Sequence, residues 1–150
     1  MATFALYPSW RQALKTLMAR GLNNGDVLTK TELSRLFGLQ DPVTANDHAR
    51  YQLDFLREFV PLRDELLKEH RIALRALYGE QSYMVVPPNE QTGVAVRTGA
   101  KEVKAAMRKM VNTLTFIRHD ELTPDQQRKN ADALAKTSML AGMLRRSLPR

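Results

Sequence analysis

RIALRALYGEQSYMVVPP, from Arg71 to Pro88, is the stretch whose reading decides the fold. Ile72, Leu74 and Ala76 alternate with Ala73, Arg75 and Leu77, and Tyr83 to Val86 form a second apolar run. Gly79-Glu80-Gln81-Ser82 separates the two. Short apolar runs joined by a few polar residues that include glycine are the signal of a β-hairpin. The long segments on either side carry helical spacing instead. An isolated hairpin is marginal in water, so this one is expected to pack on the helices that precede it. The expected class is mainly α with one β-hairpin, an α+β chain.

Upstream, Ser9-Trp10-Arg11-Gln12 fits a capping box, with Ser9 as N-cap. Trp10, Leu14, Leu17 and Met18 follow at helical spacing, and Gly21 ends the run, giving a helix from Ser9 to Arg20. Val27-Leu28 fits a short first strand. Thr29-Lys30-Thr31-Glu32 is a second capping box, opening a short helix with Leu33, Leu36 and Phe37 on one face and Gly38 at its end. Thr44 caps a third helix, in which Tyr51, Phe55 and Phe59 recur every four residues and Leu56 and Val60 widen the apolar stripe. Pro61 lacks a backbone donor, so a kink or break is expected there before the pattern resumes to His70.

Downstream, Asn89-Glu90-Gln91 can cap a helix carrying Val103, Met107, Met110, Leu114 and Ile117 at spacings of 4, 3, 4 and 3, a heptad-like seam. Arg118-His119-Asp120-Glu121 breaks it. Thr123-Pro124-Asp125-Gln126 starts another helix, with Leu134, Leu140, Met143 and Leu144 on its apolar side. The expected organisation is one domain over residues 1–88 and an antiparallel helical hairpin over 89–150.

The formal net charge of the 150 residues is +7. Residues 1–89 hold 11 Lys/Arg against 10 Asp/Glu, whereas residues 90–150 hold 12 against 6, so the excess sits in the C-terminal segment. A polyanion is the natural partner of such a surface; a well-hydrated basic exterior has the same composition. There is no cysteine, which removes disulfides, thiolate nucleophiles and cysteine-based zinc sites. No apolar run reaches transmembrane length, and MATFALYPSW lacks the basic and apolar regions of a signal peptide. The expected location is the cytoplasm, with no membrane partner.

The segment LTKTELSRLFG, Leu28 to Gly38, resembles the second helix of winged helix-turn-helix domains. LRALYGEQSYMVVPP, Leu74 to Pro88, resembles the wing of response-regulator effector domains, which often reads Arg-Gly-x-Gly-Tyr before an apolar run. Gly79 and Tyr83 occupy comparable places; Tyr78 stands where the family often has Arg, Ser82 replaces the second Gly, and the loop is one residue longer. The resemblance covers about Ser9 to Pro88. In size and make-up the chain is also similar to small bacteriophage or prophage accessory proteins. The resemblance implies that the N-terminal part of the third helix enters the major groove, with Thr44, Asn46, His48, Arg50 and Gln52 at the base edges. Asn and Gln suit adenine, and Arg suits guanine. It also implies backbone or minor-groove contact by the wing, where Arg75, Tyr78 and Gln81 stand. Against that, Thr44 to His70 mixes its cations with at least as many carboxylates, which equally describes a solvated face with internal ion pairs.

A third candidate surface lies outside the resemblance. Arg97, Lys101, Lys104 and Arg108 are spaced 4, 3 and 4, so they share one helical face, and Arg145, Arg146 and Arg150 add charge near the C-terminus. Such a stripe can track phosphates without reading sequence, or simply be solvated. No phosphate-binding glycine loop or nucleophile elbow is present, and His48, His70 and His119 stand far apart, so neither catalysis, cofactor nor metal is expected. The expectation is a non-enzymatic DNA-binding protein, a phage-type transcription regulator or replication accessory factor. The alternative is a module that keeps the same scaffold but binds a host protein, as a viral inhibitor of a host enzyme would. A homodimer through Val103, Met107, Met110, Leu114, Ile117, Leu140 and Leu144 is expected; the competing outcome is that the hairpin folds back on the first domain, where Trp10 and Phe37 would complete its core.

Overall fold

The computed structural model describes residues 8–79 and 81–148. They are mainly helical with a small antiparallel sheet, an α+β arrangement. The chain divides into two compact units, Met1–Gln91 and Thr92–Arg150.

The first unit runs α1 (Ser9–Arg20), β1 (Val27–Thr29), α2 (Lys30–Leu36), α3 (Ala45–Lys68), β2 (Ala73–Leu77) and β3 (Ser82–Val86). β2 and β3 form the expected hairpin, with Leu74 opposite Val85 and Ala76 opposite Tyr83. A third strand joins it, because β1 pairs with the other edge of β3 and sets Leu28 opposite Tyr83. The strand order is β1-β3-β2, so the hairpin is not alone. Ser82 belongs to β3 rather than to the turn, and Glu80 lies outside the described residues. Gly79 (φ 90°) and Gln81 (φ 46°) supply the left-handed turn conformations.

The core of this unit follows from the amphipathic stripe of α3. Phe55, Phe59, Leu62 and Leu66 point inward and meet Ala13 and Leu17 of α1, Leu33 and Phe37 at α2, and Leu28 of β1. Tyr83 stands against Phe59 with ring centroids 4.2 Å apart, and Phe55 and Phe59 stack at 5.4 Å. Trp10 packs on the edge of this cluster and Phe37 within it. The helix ends correct several expectations. α1 begins at Ser9 itself, after Pro8, with no side-chain cap; the backbone N–H of Trp10 donates instead to Glu58 Oε2 at 2.8 Å. Thr29 accepts from Glu32 N–H at 3.1 Å, but the Glu32 carboxylate pairs with Arg20, so only half of that box forms. Thr44 caps α3 as expected, and Asp47 completes a reciprocal box with it, beyond the single cap expected. α3 is not broken at Pro61 but runs to Lys68, its inward residues on both sides of the proline locked into one core.

The second unit contains most of α4 (Pro88–Thr115), a 3₁₀ turn (His119–Glu121) and α5 (Pro124–Ser147). α4 starts at Pro88, so Asn89 lies inside it rather than capping it, and it ends before Ile117. α5 has the expected Thr123–Gln126 box with Pro124 in the first turn. The turn is pinned by side-chain amides: Gln127 Nε2 donates to His119 O at 3.0 Å, and Asn130 Nδ2 donates to Leu114 O at 3.1 Å. The latter satisfies a carbonyl of the last turn of α4, which has no partner inside the helix. The two helices run antiparallel and bury only Ala100 and Thr137.

Candidate nucleic-acid interface

The structure separates the three sequence-derived surfaces by their electrostatics. At the start of α3, Asn46, His48 and Arg50 are exposed. The Thr44 hydroxyl is taken by the cap, accepting from Asp47 N–H at 3.2 Å. The Asp47 carboxyl is held below its ordinary range, first by the Thr44 hydroxyl and then by the Thr44 N–H that donates to it. Gln52 accepts from Lys30 Nζ at 2.7 Å, and Arg50 and Arg57 both lean on Asp54, at 4.0 and 3.4 Å. A cavity of about 410 Å³ opens beside the α2–α3 connection, where Asp41, Asp47 and Asp54 face the single guanidinium of Arg50. Three carboxylates against one cation give this end no attraction for phosphate.

Further along α3 the outward side is apolar. Leu53 is 65% exposed, and Leu56, Val60 and Leu67 also face solvent. The expectation that Leu56 and Val60 widen the core stripe is therefore corrected. Each lies about 100° around the helix from its buried neighbour Phe55 or Phe59, beyond the width that α1 and the sheet cover. This ridge was missed because periodicity reports that a residue is apolar, not whether anything covers it.

In the hairpin, Tyr78 is 90% exposed and Gln81 is exposed beside it. The Gln81 carbonyl accepts from Lys30 N–H at 2.9 Å, tying the turn to the start of α2. Arg75 is half-buried; it sits on the sheet face opposite Leu74, in register with Met84.

The second unit carries the concentrated positive surface. Arg97, Lys101, Lys104 and Arg108 are all exposed along one side of α4. They fall within about 60° of one another and extend along about 16 Å of axis. α5 adds what sequence spacing could not show: Arg145 lies across from Lys104 and Arg108 on a groove of about 380 Å³. The floor of that groove is Met107, Val111, Ala141 and Leu144, and among the described residues no carboxylate lines it. Arg150 lies outside the described residues.

Of the residues expected to pair two copies, Val103, Met110 and Leu140 are exposed. Met107, Leu114 and Leu144 are half-buried, and Ile117 stands past the end of α4. Among the described residues no three His, Asp or Glu side chains are placed to hold a metal ion, and no helix is long and apolar enough to cross a membrane.

No protein-family model, no curated protein and no solved structure matches the chain.

Proposed function

We propose that the chain is a non-enzymatic DNA-binding protein whose first unit is a winged helix-turn-helix and whose main hold on DNA is through phosphates. The scaffold reading is supported by the element order α1-β1-α2-α3-β2-β3 and the strand order β1-β3-β2, in which the two strands after α3 form the wing. Fold alone does not specify function, so the site must carry it. The carrying observation is the groove in which Lys104 and Arg108 of α4 meet Arg145 of α5 with no carboxylate among its described lining residues; Lys101 and Arg97 extend the same exposed side of α4. Such a surface binds the duplex backbone and is strongly salt-dependent, while the wing, with Tyr78 and Gln81 at its turn, adds a second contact. Base reading by Asn46, His48 and Arg50 contributes least, because Asp41, Asp47 and Asp54 surround that end of α3.

The test is anisotropy of a labelled random-sequence duplex at stepped salt. Affinity should fall linearly in log–log form, and Lys104→Glu with Arg108→Glu should flatten the slope by about two phosphate contacts. Absence of binding at low salt, or an unchanged slope in the double variant, defeats the reading.

A second reading, a protein-interaction module on the same scaffold, is favoured by the exposed ridge of Leu53, Leu56, Val60 and Leu67. Exposed apolar patches of this kind mark protein contacts. Capture of a host protein that survives nuclease treatment and is lost in Leu53→Lys would favour it.

A further inference from the structure

The C-terminal hairpin has two unlike faces. On α4, Val96 is 44%, Val103 38% and Met110 51% exposed; on α5, Leu140 is 54% and Met143 51% exposed. Around α4, the three lie about 130° from the centre of the Arg97–Arg108 stripe, and around α5 the other two lie about 170° from Arg145. Relative to Met107 and Val111 of α4 and Ala141 and Leu144 of α5, which line the groove between the helices, both sets are rotated in the same sense. In antiparallel helices equal senses of rotation bring side chains to one face. One face of the hairpin is therefore apolar along α4 and at Leu140 and Met143 of α5, with charged residues towards the start of α5, and the other is the cationic groove.

We propose that the apolar face is covered by a second copy of this chain. Three observations choose that occupant. No charged residue of α4 falls on this face between Val96 and Leu114, whereas the groove face is cationic, so an acidic partner would be drawn to the groove instead. On α5 the same side also carries Lys129, Asp132 and Lys136, of which the last two are one turn apart and of opposite sign, so a two-fold axis can oppose each of them to the other in the second copy. The exposed area of these side chains is roughly 400–500 Å² per copy, and complete burial in a pair would remove about 800–1,000 Å² from water, at the lower edge of a specific interface. Unbranched Met110 and Met143 can repack to close such a seam. Pairing the apolar faces sends the two cationic grooves outward, where both can meet a long polyanion. In the first unit Trp10 and Phe37 are already committed to the core and do not call for the hairpin to cover them.

Sedimentation of the full chain at micromolar concentration tests this. A species of twice 17.1 kDa is expected, with Met110→Glu plus Leu140→Glu returning it to 17.1 kDa at unchanged helical circular dichroism. A wild-type monomer overturns the proposal, and so does a dimer that survives the double substitution. If the double variant unfolds, pyrene labelling decides, because the chain contains no cysteine of its own. Met143→Cys should give excimer emission and Gln12→Cys in α1 should not; excimer at neither position, or only at the latter, overturns the proposal.

Discussion

The backbone N–H of Trp10 donates to Glu58 Oε2 at 2.8 Å, joining the first turn of α1 to the middle of α3 across 48 residues. A helix N-terminus leaves its first amides without internal partners and carries a partial positive charge, so a carboxylate there satisfies both. Here the cap comes from the tertiary structure rather than from the adjacent Ser9.

Glu58→Ala should therefore destabilise the first unit by about 1–2 kcal/mol, whereas Ser9→Ala should change little. Urea unfolding of the two variants checks this. The reverse order would mean that Ser9 caps α1 in solution.

The Thr44–Asp47 box gives a pH signature. The folded-state pKa of Asp47 is lowered, chiefly by hydrogen bonding to Thr44. Its contribution is thus present above the unfolded value and is lost as pH falls through the lower folded value. Thr44→Ala should cost about 1 kcal/mol near neutrality. That cost should shrink below the ordinary Asp value of 3.8, as the unfolded and then the folded carboxyl takes up its proton. A pH-independent cost from neutral to strongly acid solution would show that the carboxylate plays no part.

Ser82 is 4% exposed and its Oγ has no hydrogen-bond partner among the described residues. Removing a buried hydroxyl that gains nothing from its surroundings relieves a desolvation cost. Ser82→Ala should raise the unfolding midpoint, by up to about 1 kcal/mol in stability. A clear loss would reveal a partner for the hydroxyl.

Arg145 and Arg50 should separate in DNA binding. Arg145→Gln removes a cation from the carboxylate-free groove and should reduce the salt slope by about one. Arg50→Gln removes a cation already shared with Asp54, among three carboxylates, and should leave the slope nearly unchanged. Equal losses at the two positions would return the third helix to the centre of the interface.

The sequence by itself determined the local structure. Alternation in residues 72–77 and the apolar run at 83–86 specify the hairpin, because strand periodicity is set by the backbone. Thr44 and Thr123 specify helix starts, because a capping box closes within four residues. The spacing of Arg97, Lys101, Lys104 and Arg108 specifies a cationic face for the same local reason. Only tertiary structure decided what each face meets. β1 joined the sheet because Leu28 could be buried opposite Tyr83, across 55 residues. Glu58 replaced Ser9 as the cap because α1 packs on α3. Leu56 and Val60 stayed in water because α1 and the sheet fill the other side of α3. Arg145 came to Lys104 and Arg108 because Asn130 and Gln127 fold α5 back along α4. Periodicity is a property of one segment, whereas burial and charge pairing are properties of two, and the second segment is named only when the chain has folded.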